Sequence, residues 1–398
     1  MSKLRVLDET LVLNNKRVLL RVDLNVPLEN GKITDATRID KIVPTINLLL
    51  KNKAKIIILS HIGRPGGKIV KELSLKLVCE NLKSKINEDV KLITKNLKEI
   101  NSTDLFNNPD EKVVMLENLR FYVEEEENDK EFSKHLASLA NIYVNDAFSC
   151  SHRAHASIYE ITKFLPSYSG LQLSLEIDAL NKITSEIKRP ITCIIGGSKI
   201  STKINIIRNL IFKFDNIVIV GGMANNILRY KGYAIGKSIQ EKNCDEIIEE
   251  IFALSKKESC KITYPEDVTV GKNLNGSPEI KELNDVSEDE LILDIGPKTI
   301  KTINNIIETS RTVLWNGPAG YFENPDFAKG SFEIAKKIVE KNKANTIYSV
   351  AGGGDTVAIL NNIGMAGNFN FVSTAGGAFL EYLEGKELPG IKVLNIQL

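Results

Sequence analysis

Along the whole chain a short β-branched run meets a polar or glycine-rich turn and is followed by apolar residues at helical spacing. In the first half the runs are RVLLRVDL, KIIILS, KVVMLEN and NIYVND; in the second they are ITCIIGG, NIVIVGG, TVLWNGPAG, TIYSVAGGGDT and FNFVSTAGGA. Strand-like runs alternating with helix-period stretches predict parallel α/β architecture. From Arg38 to Leu50, the residues Ile39, Ile42, Val43, Ile46, Leu49 and Leu50 share one helical face, within which Pro44 should cost a hydrogen bond or a kink. Leu173, Ile177, Leu180, Ile183 and Ile187 do the same in a segment that follows Pro166 and Gly170 and is closed by Lys188, Arg189 and Pro190, which reads as a helical interdomain connector.

Length turns this pattern into two bodies, because 398 residues exceed what one core usually carries. The expected division is a first domain over 1–170, a hinge helix over 171–189, a second domain over 190–378 and a closing segment over 379–398. Lysine plus arginine (52) balances aspartate plus glutamate (51), so the net charge implies neither nucleic acid nor a membrane surface as partner. Cys79, Cys150, Cys193, Cys244 and Cys260 are scattered and form no C-x-x-C, which fits reduced thiols in a cytoplasm. No signal-peptide pattern opens the chain, and no apolar run approaches the roughly 18 residues of a membrane span.

The two halves end their strands differently. Glycine after a buried strand lets the backbone approach a ligand, and a following helix start aims free N–H groups at an anion, so the glycine turns of the second half predict a phosphate-rich ligand. There GGSKISTK sets Lys199 and Lys203 four apart, expected on one face of the helix after Gly196 and Gly197. AGGGDT puts Asp355 and Thr356 at a helix start, where the aspartate can cap the helix or hold Mg²⁺. GYAIGKS is no P-loop, having the wrong spacing and no preceding strand, and reads as a surface turn. In the first half, Arg21, Asp23 and Asn25 alternate along LLRVDLNVP, while His61, Arg64, Arg120, His152, Arg153 and His155 fall just past strand-like runs and Arg38 opens a helix. Convergent guanidinium groups form forks for carboxylate and phosphate, so a small phosphorylated acid is the expected guest. The acidic patch Glu124 to Glu127 is expected as a solvated face, and His135 as an ordinary helix residue.

RVDLNVP, SHIGRP, LENLRFY, HRAH, GGSKISTK, WNGPAGYFE, AGGGDT and VSTAGGA, in that order, make the chain resemble the phosphoglycerate kinase family from end to end. The resemblance implies a two-lobed α/β fold, each lobe a mostly parallel, Rossmann-like sheet flanked by helices and the lobes joined by a helical hinge. It implies reversible Mg²⁺-dependent phosphoryl transfer from 1,3-bisphosphoglycerate to ADP, giving 3-phosphoglycerate and ATP, in a cytoplasmic monomer whose last segment returns to the first lobe. Residue by residue, the phosphoglycerate site would be Asp23, Asn25, Arg38, His61, Arg64, Arg120, His152 and Arg153. The nucleotide site would use Gly196, Gly197, Lys203, Gly221, Gly222, Asn316, Pro318, Glu323, Gly353, Gly354, Asp355 and Thr356, with Glu323 on the ribose and Asp355 on the metal. Arg38, Lys203 with Lys199 in support, and the amides of Gly376 and Gly377 would stabilise the transferred group. The chain departs from the family at Asp40, at Ser149 to Ser151, at Ala375 and at Phe379. Two rivals stand beside this reading. A dehydrogenase is opposed by the lack of a G-x-G-x-x-G after any strand, and a catalytically silent nucleotide-binding protein of the same fold is opposed by the intact Arg38, Lys203 and Asp355.

Overall fold

A computed structural model describes residues 4–8 and 10–395; the extreme ends of the expected first domain and closing segment, residues 1–3 and 396–398, lie outside the described residues, as does residue 9. The chain forms two compact units, one of residues 1–178 with 387–398 and one of residues 179–386.

In the first unit the strands are β1 (Arg17–Val22), a small hairpin of β2 (Leu28–Glu29) and β3 (Lys32–Ile33), β4 (Lys55–Leu59), β5 (Val90–Ile93), β6 (Val113–Leu116), β7 (Ile142–Asp146) and β8 (Ser167–Ser169). Six of them form one parallel sheet in the order β5-β6-β4-β1-β7-β8. Alternate residues serve opposite faces: Val18, Leu20, Ile56 and Ile58 enter one apolar core, and Leu19, Ile57 and Leu59 the other. A strand covered on both sides cannot alternate with polar residues, which is why these runs are continuously apolar. The helix Thr37–Lys51 buries Ile39, Ile42, Ile46 and Leu49, and tolerates Pro44 because that residue faces solvent, where an unpaired carbonyl can be hydrated. β1 has β4 on one side and β7 on the other, so the chain reverses direction across the sheet there. Such a switch point opens a crevice at the carboxyl ends of the strands.

The second unit repeats the plan with β9 (Ile191–Ile195), β10 (Asn216–Ile219), β11 (Lys261–Thr263), β12 (Asp267–Gly271), β13 (Glu279–Glu282), β14 (Leu291–Ile295), β15 (Thr312–Asn316), β16 (Tyr348–Gly352) and β17 (Phe371–Ser373). Its parallel sheet runs β11-β10-β9-β15-β16-β17, with a switch between β9 and β15, and a separate antiparallel sheet β13-β12-β14 stands beside it. All five glycine-ended runs are strands of the parallel sheet. The antiparallel sheet was not foreseen, since β13 is mostly exposed and lacks an apolar face.

Three boundaries differ from expectation. The connector helix spans Leu171–Thr184 and stops before Ile187, and the division between units falls inside it, after Asp178. The return to the first unit begins at Glu387 rather than at residue 379, because the helix Gly377–Leu383 packs on the helix Ile204–Ile211, where Asn209 Nδ2 donates to the Leu383 carbonyl (2.6 Å). From there Gly390 N donates to Ser151 O (2.9 Å) and Leu394 O accepts from Arg5 N (3.0 Å), both within the first unit.

Candidate functional site

At the carboxyl ends of β1, β4, β6 and β7 the side chains singled out in the first half form one bonded cluster. β1 stops at Val22, so Asp23 and Asn25 lie in the turn beyond it instead of sharing a strand face with Arg21. Asp23 Oδ2 accepts from Arg38 Nη1 (2.7 Å) and from the Ser149 hydroxyl, and Asp23 Oδ1 accepts from Asn25 N (3.0 Å). Asn25 O accepts from Arg38 Nη1 (3.0 Å), and Asn25 Oδ1 from Gly63 N (2.9 Å). Arg120 Nη1 donates to Gly63 O (2.8 Å), with Glu126 3.3 Å from its Nε. Four partners from three segments, Asp23 and Asn25, Gly63, and Glu126, thus hold the Arg38 and Arg120 guanidinium groups beside one turn.

Arg21 is a frame residue. Only 1% exposed, it donates from Nε to Ser157 Oγ (2.9 Å) and from Nη1 to the Val22 carbonyl, and its Nη2 lies 3.1 Å from His61 Nδ1. Burial first, then the neighbouring guanidinium groups, push the His61 pKa well below its ordinary value. It is therefore a neutral hydrogen-bonding group. His155 is held down to about 3 by the same causes. His152 Nε2 accepts from Arg153 Nε (3.1 Å), while Arg64 is exposed and stands outside this bonded set.

Three contributors were missed in the sequence. Glu125, expected on a solvated face, is fully buried and accepts from Ser157 Oγ (2.6 Å) and N (3.0 Å), and burial raises its pKa. Asn118 accepts from Arg120 N (3.1 Å) and donates to Ile62 O (2.8 Å) and Leu73 O (3.0 Å), fixing the turn that carries Arg120. Ser149 supplies a hydroxyl to Asp23 and is absent from the residues with positive φ, so serine fits there without strain. LEN before Arg120 was a readable signal for Asn118; nothing local marked Glu125 among four consecutive glutamates.

The second unit builds its strand ends from backbone. A Cβ at Gly196 would collide with the Pro318 carbonyl, one at Gly221 would come within 2.9 Å of the same oxygen, and one at Gly317 would collide with Gly196 O. Glycine is required here first by close approach of three turns. Gly353, at φ 96°, would set a Cβ 2.7 Å from Asn316 Nδ2. Asn316 donates from Nδ2 to Gly352 O (2.7 Å) and accepts from the Lys203 ammonium; Thr356 Oγ1 accepts from Gly317 N (2.7 Å). Around this frame Gly197, Gly221, Gly222, Pro318, Glu323 and Asp355 line a pocket of about 250 Å³, with Ile239 and Leu274 as apolar walls. Gly376, Gly377 and Gly354 do not line it; they sit at the starts of the helices Gly377–Leu383 and Gly354–Asn362.

The lysine pair needs correction. The helix after β9 starts at Ile204, because Ser201 to Lys203 form a turn; Lys199 and Lys203 therefore share no helical face. Lys203 points inward, its pKa lowered by burial, whereas Lys199 is exposed. Ala375 is 2% exposed without positive φ, and Phe379 packs against Gly352, where a Cβ would meet its ring at 2.5 Å; both departures are absorbed by packing. Asp294, unnoticed in the sequence, also lines the pocket, its carboxyl pushed up to about 7 by burial and bonded to Gly330 N (2.7 Å) and Ile295 N (2.9 Å).

A hard cation fits the donor chemistry at Asp355. Its carboxylate is exposed at a pocket edge and has no side-chain hydrogen bond or ion pair among the described residues, and a magnesium ion needs only one or two such oxygens besides phosphates. Among the described residues no helix is long and apolar enough to cross a membrane.

A sequence model described as phosphoglycerate kinase matches residues 8–386. A phosphoglycerate kinase of Methylorubrum extorquens (strain PA1) is 45% identical over 399 residues, covering 100% of both chains. One from Wolbachia pipientis subsp. Culex pipiens is 46% identical over 386 residues, 95% of this chain and 96% of its own. Among solved structures, phosphoglycerate kinase from Coxiella burnetii aligns with a TM-score of 0.88 at 39% identity over 96% of this chain and 97% of its own. That from Pyrococcus horikoshii OT3 aligns at 0.79 and 27% identity over 97% of each.

Proposed function

The chain belongs to the phosphoglycerate kinase family, and we propose that it transfers a phosphoryl group reversibly from 1,3-bisphosphoglycerate to ADP, giving 3-phosphoglycerate and ATP. The observation that carries this reading is the set of bonds through which Asp23, Asn25 and Gly63 hold Arg38 and Arg120 beside one turn. Such a fork suits an anion with a carboxylate at one end and a phosphate at the other.

Transfer of a phosphoryl group needs alignment and neutralisation of charge on its oxygens more than a covalent nucleophile or a strong base. The residues present fit that demand. Asp23, Asn25, Arg38, His61, Arg120, His152 and Arg153, with Arg64 reaching in from the surface, hold phosphoglycerate, and neutral His61 orients without adding charge. The glycine turns at 196–197, 221–222 and 353–354, with Pro318 and Thr356, seat the nucleotide; Glu323 takes the ribose hydroxyls. Lys203, kept extended by Asn316, and the amides of Gly376 and Gly377 at a helix start meet the transferred group, with Lys199 as a supporting surface charge. Asp355 would hold Mg²⁺, which would supply charge neutralisation for the nucleotide phosphates.

Donor and acceptor bind different units, so transfer requires the two sites to come together and exclude water. The helix Leu171–Thr184, which contains the division after Asp178, is the proposed hinge. Both substrates together should lower the radius of gyration in solution scattering more than either alone; an unchanged radius speaks against closure. The protein acts in this reading as a cytoplasmic monomer with no nucleic-acid or membrane partner. The decisive experiment is a coupled assay for Mg²⁺-dependent ATP formation from ADP and 1,3-bisphosphoglycerate. Folded protein without turnover would overturn the enzyme reading in favour of a silent nucleotide-binding protein.

A further inference from the structure

A groove in the first unit, about 1130 Å³, is lined by none of the residues assigned above to either substrate. Its apolar walls are Leu28, Ile69, Leu73, Leu77, Phe121 and Tyr122, with Ile69 79% exposed at its rim. The charges around it are unequally committed. Glu117 is fully occupied, accepting from Ser74 Oγ (2.7 Å), Leu75 N (2.8 Å) and Asn118 N (2.8 Å), and Lys98 is paired with Glu124. Lys71 and Lys76 are exposed lining residues that enter no ion pair among the described residues, and Glu72 is the one such carboxylate opposing them.

Apolar walls beneath two uncommitted ammonium groups favour one class of guest. We propose that this groove binds a small amphipathic anion, an apolar body carrying a carboxylate or sulfonate head, and that its occupancy weakens phosphoglycerate binding. The coupling runs through Leu73. Its side chain packs against Gly63 so closely that a Cβ there would lie 2.7 Å from Leu73 Cδ2. Gly63 in turn donates to Asn25 and accepts from Arg120, and Asn118, which fixes the Arg120 turn, donates to the Leu73 carbonyl. A guest that displaces Leu73 therefore moves the turn to which both Asn25 and Arg120 are tied. By linkage, phosphoglycerate must weaken the guest by the same factor.

The test uses two fluorescent probes, 8-anilino-1-naphthalenesulfonate and its uncharged parent N-phenyl-1-naphthylamine, titrated into the full chain with Mg·ADP saturating so that nucleotide-site binding is suppressed. Saturable binding of the sulfonate is expected. It should weaken by about tenfold or more both in Ile69→Asp and in the double reversal Lys71→Glu, Lys76→Glu, while the uncharged probe responds to Ile69→Asp alone. Calorimetry should show the sulfonate raising the Kd of 3-phosphoglycerate several-fold in the parent chain and not in the variants. Circular dichroism and turnover without probe should be unchanged, which separates loss of the groove from loss of fold. Absence of saturable sulfonate binding, or binding indifferent to both variants, overturns the site. Binding that leaves the Kd of 3-phosphoglycerate unchanged overturns the coupling. The probe titrations are independent of catalysis, so their failure is distinguishable from failure of the kinase reading.

Discussion

In the first unit the polar groups at the strand ends are side chains that bond to one another; in the second they are mostly backbone groups brought close by glycine. Both stand at the switch point of a six-stranded parallel sheet, β4-β1-β7 in one unit and β9-β15 in the other. In the function proposed above, the difference follows from what each unit would hold. A compact acid with two anionic ends is recognised by planar forks, which must be pre-positioned by partners such as Asp23 and Gly63. An extended polyphosphate is better met by a row of amides, and a row of amides requires turns without Cβ atoms. Rigidity is achieved by hydrogen-bonded guanidinium groups in the first case and by interlocked backbone in the second.

The comparison is sharpened most by removing one charge from each side. Arg38→Ala and Lys203→Ala should each lower turnover by about 10²–10³-fold, the scale of losing one transition-state donor. Urea unfolding should stay near that of the parent chain; an equal loss of stability would mean these residues are structural. Next in size is a test of what the glycines are for. Gly196→Ala pushes a methyl into the Pro318 carbonyl and should destabilise the second unit by about 3 kcal/mol or more. Unfolding followed by Trp315 fluorescence reports on that unit, since the chain's one tryptophan lies in β15. Gly376→Ala should behave oppositely, because a Cβ there meets nothing within 4 Å. Stability should hold while turnover drops by about tenfold through crowding of the transferred group, a cost of about 1.4 kcal/mol.

The smallest expected effect is in pH. His155 is neutral when folded, with a pKa held down to about 3 against an ordinary 6.5. Its contribution is present above 6.5 and is lost as pH falls towards 3. Asp294 has the opposite sign: raised from 3.8 to about 7, its contribution is present below 3.8 and is lost as pH rises through 7. Asp146, raised to about 6, acts in the same sense as Asp294 but inside the first unit, where it partly offsets the histidine. Denaturant midpoints between pH 4 and 7 should therefore flatten on the acid side in His155→Gln and on the neutral side in Asp294→Asn. Parallel curves for both variants would show that these groups titrate alike in folded and unfolded chains.

Much of the fold was legible because it rests on local signals. A strand covered on both faces must be continuously apolar, and a helix must place Ile39, Ile42, Ile46 and Leu49 on one side. The candidate site was legible as residue types past strand ends, which singled out Arg120 and the glycine turns, and at a helix start, which singled out Arg38. What failed was local geometry. Lys199 and Lys203 were assigned to a helix by spacing, whereas the turn before Ile204 separates them, turning one inward and leaving the other in water.

By itself the sequence determined the strand and helix pattern, the two-body division and the chemistry available at each strand end, because these depend on periodicity and on residue type. Only the tertiary structure decided which charges are frame and which are free. Burial is set by neighbours remote in the chain: Glu125 lies inside because Ser157, itself bonded to Arg21, donates to it there, and Ser149 serves Asp23 across 126 residues. The same distance-blindness hid the purpose of the glycines. Gly196, Gly221 and Gly317 read as ligand turns, and the structure shows that they are first a solution to packing three backbones around Pro318.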